Sequence, residues 1–459
     1  MLMGSTIEIP IWLAVLAGIF AVVAVLDKLL LPSVRWYFQK RFNRAVERLN
    51  SKLQLQIQPF KLTRRRVLID RLTHDPVIME GVAQAAAESG EPVDVVAEKA
   101  KRYAREIVPH FSAFAYFGFA ARVARWLSQS LYRVRVGLLD EEGMAKVAPD
   151  STVVFVMNHR SNMDYVLVTY LAAERSALSY AVGEWARVWP LQGFIRSMGA
   201  YFIRRRSRNP LYRCVLARYV QMATEGGVAQ AIFPEGGLSR DGHLGAAKLG
   251  LLSYIVKGFN PEGPRDVVFV PVGLNYDRVL EDRVLLAAKE AGSKPQFDSG
   301  PMAMLRFIRH QLWLRITGKY HRFGYACVSF GAPVSLKGFL GQADGPLDAQ
   351  ITQLGDSLMA DIGKVVPVLP VSLIAAIMQA AGCLSVIGIK GEVHQRLKDY
   401  AARGVYSHIP HKDEDYAVDV GLRMLEMRHI LNVEGGVYSV NEENREVLDY
   451  YANAIAHLG

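Results

Sequence analysis

A histidine and an aspartate stand five residues apart in "NHRSNMDY", at His159 and Asp164, between two apolar runs. Neutral imidazole is the side chain best suited to take up a proton near neutral pH. A carboxylate bonded to one ring nitrogen fixes the tautomer and leaves the other nitrogen as a base. On a single α-helix, positions five apart point about 140° away from each other, so the two meet only if the chain turns between them. Ser161 supplies that turn: it is a good N-cap, with Asp164 three residues on like the acid of a capping box. This places His159 in the turn after a strand and Asp164 in the first helical turn. A purely structural reading uses the same residues, with Asp164 capping a helix and His159 satisfying turn backbone. A lone H-x₄-D does not choose between them.

Three further stretches carry polar groups at the ends of apolar runs. "GAYFIRRRSR", from Gly199, delivers Arg204, Arg205 and Arg206 at the end of a short strand. Ligands bind at strand ends in α/β sheets, and guanidinium groups pair with phosphate in a bidentate way. A solvated basic run, or a surface for lipid headgroups, would look the same. "AIFPEGGLSRDGHLGAAKLG", Ala231 to Gly250, combines Gly236 and Gly237 with the donors Ser239, Arg240 and Lys248. Glycine turns beside cations cradle phosphate, although the G-K-[ST] of a Walker loop is missing. "VVFVPVGLNYDRVLED", Val267 to Asp282, leaves a buried strand through Asn275, Tyr276, Asp277 and Arg278. There is no G-x-S-x-G motif, so direct attack without a covalent enzyme intermediate is the simpler chemistry.

The elements that must position these groups alternate between strand and helix. Strands are expected at Tyr132–Val136, Val153–Met157, Ala200–Ile203, Ala229–Phe233, Val267–Val272 and Cys327–Phe330, with helices such as Tyr212–Glu225 and Lys248–Lys257 between them. That pattern argues an α/β fold: a mixed, largely parallel sheet flanked by helices. "DPVIMEGVAQAAAES" and "DVVAEKAKRYAREIV" before it read as helices that start at prolines. Phe111 to Tyr132 is aromatic-rich with Arg122 and Arg125, and fits a membrane-interface helix as well as a core helix. Val365 to Ile389 is uncharged for 25 residues. Pro367, Pro370, Gln379 and Gly382 favour a buried helix there over a second membrane span. A hairpin around Gly435-Gly436 and a closing helix finish the chain.

The 459 residues carry 54 Lys and Arg against 44 Asp and Glu, a net +10. A basic balance implies anionic partners: nucleic acid, lipid headgroups or phosphorylated substrates. The nucleic-acid reading rests on charge alone and is set aside. Cys214, Cys327 and Cys383 show neither disulfide nor metal spacing, which points to a reducing compartment and no metal site. Ile9 to Leu26 has no charge; eighteen helical residues span about 27 Å, close to the bilayer core. Lys28, Arg35, Lys40, Arg41, Arg44 and Arg48 follow it, with Trp36, Tyr37, Phe38 and Phe42 interleaved, so the bulk of the chain is expected on the cytoplasmic side of a cell membrane. The expected organisation is an N-terminal transmembrane anchor over 1–31, a helical juxtamembrane region over 32–132, the α/β domain over 133–340, and a mainly helical region over 341–459.

In this order, each at a strand end, the stretches resemble the four blocks of the glycerolipid acyltransferase superfamily and, within it, the bacterial-type glycerol-3-phosphate acyltransferases. "HRSNMDY" is similar to the first block, "GAYFIRR" to the second, "FPEGGLSR" to the third and "VPVGLNYD" to the fourth; "LDYYANAIAHL" resembles the closing segment. The resemblance implies transfer of a fatty acyl group from acyl-CoA or acyl-carrier protein, as co-substrate, to the sn-1 hydroxyl of glycerol 3-phosphate. The product would be lysophosphatidic acid, and no further cofactor is implied. His159 would be the base and Asp164 its partner. Arg204, Arg205 and Arg240 would hold the acceptor phosphate, with Lys248 as a further donor. Arg160, Ser161 and Ser239 would line the substrate site, Gly236 and Gly237 would allow close approach, and Glu235 would brace the loop. The sequence departs from the pattern at Leu238, where family members often carry Arg. It also begins with an apolar segment in place of the long N-terminal region of larger members. "FPEG" looks like the third block of lysophosphatidate acyltransferases too, so lysophosphatidate or dihydroxyacetone phosphate is the alternative acceptor. A non-catalytic protein binding acidic lipid is the alternative of another class.

Overall fold

The computed structural model describes residues 57–172, 177–183, 191–204, 207–293 and 321–459, with isolated positions between 306 and 318. Its main sheet holds β1 (Arg133–Leu139), β2 (Thr152–Met157), β3 (Ser179–Val182), β4 (Tyr201–Phe202), β5 (Gln230–Ile232), β6 (Val267–Tyr276), β7 (Tyr325–Phe330) and β8 (Val334–Ser335). The order is β1-β7-β6-β2-β5-β3-β4, with β8 beside β6. β2 runs parallel to both its neighbours, β5 and β6. β3 is parallel to β5 and β4, and β1 to β7. β7 and β8 are antiparallel to β6. The sheet is therefore mixed and largely parallel, as the alternating pattern implied. β2, β3, β5 and β6 are buried at every position, which their unbroken apolar runs require in a sheet covered on both faces. β1, at the edge, exposes Arg133 and Arg135, charges that discourage further strand pairing.

The longer helices among the described residues are α1 (Arg65–Thr73), α2 (Pro76–Ser89), α3 (Val93–Ile107), α4 (Ala121–Leu131), α5 (Met163–Ala172), α6 (Pro210–Glu225), α7 (Gly250–Lys257), α8 (Asp282–Glu290), α9 (Leu347–Val365), α10 (Pro370–Ala381), α11 (Val386–Ala402), α12 (Glu414–Glu426) and α13 (Arg445–Ala452). A π-helical segment, Phe114–Ala120, runs straight into α4. Local signals set the starts: Asp75 and Asn209 accept N-terminal amides of α2 and α6, each followed by proline at the first turn. One apolar core joins Val154 and Val156 of β2, Ile232 of β5 and Phe269 of β6 to residues of α2, α3, α6, α7 and α9. Residues 57–459 pack as one unit.

The long uncharged run resolves into a buried helix. Pro370 starts α10, Gly382 with φ 73° ends it, and Val371, Leu373, Ile374, Ile377 and Met378 are buried. Twelve residues fall well short of a membrane span. Among the described residues no helix is long and apolar enough to cross a membrane. The expected anchor over Ile9–Leu26 and most of its basic collar lie outside the described residues. A small antiparallel sheet, β9 (Cys383–Ser385), β10 (Leu431–Glu434) and β11 (Val437–Val440), contains the expected hairpin, with Glu434 opposite Val437. β3 and β8 were not anticipated: at four and two residues they are too short to display an alternation.

Candidate active site

β2 ends at Met157, and the next residue extends the ladder with its side chain. Asn158 Nδ2 donates to the Leu274 carbonyl at 2.9 Å and Oδ1 accepts the Leu274 amide at 2.7 Å. The turn thus leaves the sheet from a fixed point on β6. His159 follows, 2 % exposed. Its Nδ1 lies 2.8 Å from Asp164 Oδ2. The same oxygen accepts the amides of Arg160 at 2.8 Å and Ser161 at 3.1 Å, so the ring nitrogen facing it is the donor. Asp164 Oδ1 accepts the Tyr276 hydroxyl at 2.6 Å. Nε2 of His159 has no hydrogen-bond partner among the described residues. The ring stacks on Phe233 at 4.1 Å and meets Tyr165 edge-on at 5.4 Å. One carboxylate therefore both builds the turn and holds the imidazole, so the structural reading of the H-x₄-D pair does not exclude the chemical one.

Ser161 and its neighbour are gripped from the far side of the turn. Ser161 Oγ accepts the Met163 amide at 3.1 Å, at the start of α5, and donates to Glu281 Oε2 at 2.7 Å. The Asn162 amide donates to Glu281 Oε1 at 3.2 Å. Burial pushes the Glu281 carboxyl above its usual range.

The loop after β5 closes over the same turn. Glu235 Oε1 accepts the His159 amide at 2.7 Å and Oε2 accepts the Gly245 amide at 3.0 Å; burial raises this carboxyl too. The Ser239 amide donates to the His159 carbonyl at 2.9 Å, while Ser239 Oγ donates to the His243 carbonyl and accepts the Gly242 amide. Gly236 has φ 65°, and a Cβ there would lie 2.8 Å from Lys248 Cδ. Left-handed backbone and close approach both call for glycine; its neighbour Gly237 is not left-handed. Arg240 and Lys248 make no side-chain hydrogen bond or ion pair among the described residues. A cavity of about 180 Å³ lies against Phe233, bounded also by Ile203, Gly236, Lys248, Leu251 and Leu358.

Arg160 and Arg204 already have protein partners. Arg160, 3 % exposed, donates through Nη1 to the Gly242 carbonyl and stacks 5.0 Å from the Tyr450 ring centroid. Arg204 forks onto Glu106 of α3, Nε to Oε1 at 2.8 Å and Nη2 to Oε2 at 2.6 Å, between the rings of Tyr103 and Tyr212. Arg205 lies outside the described residues. The structure thus gathers His159, Arg160, Ser161, Asp164, Glu235, Gly236 and Ser239 around one turn, sets Lys248 against it, and leaves Arg204 holding α3. Tyr276, Glu281, Asn158 and Tyr450 were not singled out as site residues. The polar exit of β6 marked Tyr276 as unusual; Glu281 carried no local signal.

A family model described as Acyltransferase matches residues 139–275, and one described as Glycerol-3-phosphate acyltransferase C-terminal region matches residues 313–458. The chain is 27% identical over 423 residues to a glycerol-3-phosphate acyltransferase of Pseudomonas putida (strain W619), covering 86% of this chain and 49% of that protein. It is 28% identical over 433 residues to that of Pseudomonas fluorescens (strain Pf-5), with the same coverage of 86% and 49%. The chain spans about half the length of the curated relatives it matches. Among solved structures, the 1-acyl-sn-glycerophosphate (LPA) acyltransferase PlsC from Thermotoga maritima aligns with TM-score 0.32 and 18% identity, over 65% of this chain and 97% of that one.

Proposed function

We propose that this chain is a bacterial-type glycerol-3-phosphate acyltransferase, a reading supported by the two family models and the relatives it matches, and that it moves a fatty acyl group from an acyl thioester to the sn-1 hydroxyl of glycerol 3-phosphate. The observation that carries the reading is the His159 ring, held at Nδ1 by Asp164 and unbonded at Nε2 among the described residues. A hydroxyl is a weak nucleophile at neutral pH. Nε2 takes its proton as the oxygen attacks the thioester carbonyl, and the resulting imidazolium sits against the Asp164 carboxylate. The tetrahedral intermediate collapses with loss of the thiolate, which recovers the proton from His159. Base catalysis of this kind contributes roughly 10²–10⁴-fold. Arg240 and Lys248, two cations of the β5 loop without side-chain partners among the described residues, hold the acceptor phosphate. Charge-assisted bonds to it are worth about 1.5–3 kcal/mol each. Arg204 joins them only by leaving Glu106. Glu235 braces the loop through the His159 and Gly245 amides.

The thioester donor is acyl-CoA or acyl-carrier protein. Product and donor are both amphiphilic, which suits an enzyme held at the cytoplasmic side of a cell membrane by the apolar segment Ile9–Leu26 and the basic residues after it. A thiol-release assay with both donors and glycerol 3-phosphate tests the reaction, and a parallel run with lysophosphatidate tests the acceptor. Thiol is expected only when glycerol 3-phosphate is present, and His159→Ala is expected to abolish release while the protein stays folded. Near-normal turnover by that variant would overturn the mechanism.

A further inference from the structure

Phe233 is the first residue after β5, and its ring lies against the His159 imidazole, with centroids 4.1 Å apart and planes 28° from parallel. β2 and β5 are neighbours with Val156 opposite Ile232, so the two rings leave adjacent strand ends. The backbone gives Phe233 little choice of place. Pro234 confines the residue before it to extended backbone. The Phe233 carbonyl accepts the Gly236 amide at 3.0 Å, and the Pro234 carbonyl accepts the Lys248 amide at 2.7 Å. Tyr165 closes the group, its ring 5.4 Å from that of His159 and 5.0 Å from that of Phe233. Close packing does not by itself demand an aromatic ring here, because Phe233 borders the cavity of about 180 Å³ and has no tight wall on that side. The chemistry of its neighbour does demand one. Asp164 meets the imidazole at Nδ1, and Phe233 covers a face. The face of an aromatic ring attracts a cation within about 6 Å of its centroid, more strongly where water is excluded. His159 is buried, so the contact is of the stronger kind.

We propose that Phe233 is a positioning residue for acyl transfer, whose π face holds the His159 ring flat on Asp164 and stabilises the imidazolium formed when Nε2 takes the acceptor proton. The proposal rests on the acyl-transfer reading above. The proton passes from the hydroxyl to Nε2 and then to the leaving thiolate; Phe233 exchanges nothing and acts only through the imidazole. Before transfer the contact joins two neutral rings. During transfer one of them is a cation, and the attraction grows. An interaction that strengthens only toward the transition state raises kcat and leaves KM alone. A cation–π contact in a dry site is worth roughly a 2- to 30-fold change in rate.

The test replaces Phe233 in the full chain with a series of ring-fluorinated phenylalanines ending at the pentafluoro form. Fluorines nearly keep the shape of the ring and drain negative charge from its face, so they separate the electrostatic role from simple packing. Thiol release is measured with glycerol 3-phosphate and whichever thioester supports it. The expected result is a stepwise fall in kcat, reaching roughly 2- to 30-fold at the pentafluoro ring, with KM for both substrates unchanged. Phe233→Leu is expected to fall further, since it also frees the imidazole to turn. A second readout does not use turnover. In a proton–carbon correlation spectrum of the detergent-solubilised chain, the His159 ring signals, assigned by their absence from His159→Ala, are expected upfield in the ring current of Phe233 and downfield of that position in Phe233→Leu. A kcat that is constant along the fluorinated series overturns the proposal, as does a loss confined to KM. Unmoved His159 signals in Phe233→Leu overturn it too, because the rings then do not stack. A flat series in a chain whose release depends on glycerol 3-phosphate leaves the transfer reaction standing and removes Phe233 alone. Absence of release from the unsubstituted chain is a different result: it sinks the transfer reading, and the role of Phe233 with it.

Discussion

Asp164 accepts four hydrogen bonds, from His159, the Arg160 and Ser161 amides, and Tyr276. An isosteric amide cannot serve all four donors, because one of its two heads is itself a donor. Asp164→Asn is therefore expected to lower kcat by roughly 10²–10⁴-fold, the range for losing an oriented base, with little change in KM for glycerol 3-phosphate. An effect confined to KM in steady-state kinetics would show that the carboxylate binds substrate instead. Tyr276→Phe is gentler: it removes one charge-assisted bond at a fully buried site and is expected to cost about 1.5–3 kcal/mol in urea unfolding. Its kcat should fall less than that of Asp164→Asn, since the imidazole keeps its partner. Arg240→Ala belongs to the other class of effect. A cation used for the acceptor phosphate in ground and transition states alike raises KM with kcat nearly kept; an unchanged acceptor KM would remove Arg240 from the site.

The elements bring these side chains together by ending side by side: β5, β2 and β6 are adjacent and parallel, and each exits into a polar loop. Much of this was legible, because a buried parallel strand is a run of Val, Ile and Phe whose end is marked by the first polar residues. Hence the turn at His159, the loop at Glu235 and the exit at Tyr276 were all locatable from local pattern. What was not legible is pairing across the fold. Tyr276 reaches Asp164 over 112 residues and Glu281 reaches Ser161 over 120, and no spacing rule links positions so far apart. Arg204 shows the same blindness in reverse: a basic run at a strand end looks free until Glu106, 98 residues earlier, is found in its fork. The loop from Ser239 to His243 supplies the test at this scale. Gly242 has φ 90°, and a Cβ on it would sit 1.9 Å from the Tyr450 carbonyl oxygen. Gly242→Ala is expected to push the loop off α13, lowering both the unfolding midpoint and thiol release. Wild-type values for both would mean that the loop relaxes without the helix.

Across the whole molecule, the two regions matched by separate family models share one site. Tyr450 of α13 stacks on Arg160, and Asn453 Nδ2 donates to the Asp241 carbonyl at 2.9 Å. Asp282 Oδ2 accepts from Arg428 Nη2 at 2.6 Å and from the Tyr451 hydroxyl at 2.5 Å. The C-terminal region is thus the back wall of the His159 turn, since Asp282 is the next residue after Glu281, which grips Ser161 and Asn162. It also carries an acid-sensitive point. His408 is lowered from 6.5 to about 4, by burial first and by Arg135 second. The unfolded chain binds that proton more readily, so the contribution to stability is present above pH 6.5 and is lost as pH falls toward 4. His408→Phe is expected to flatten that part of the acid limb in urea midpoints measured against pH. The larger test of the shared site is Arg428. Its partner Asp282 is 5% exposed, and removing one member of a buried ion pair strands the other at a cost of about 3–5 kcal/mol. Arg428→Ala is therefore expected to lower the unfolding midpoint sharply and, through Glu281, to lower kcat for acyl transfer at temperatures where the protein is still folded. Tyr451→Phe, which leaves the charge pair intact, should lose less of both. If Arg428→Ala loses stability but keeps its kcat, the C-terminal region supports the fold without positioning the catalytic turn.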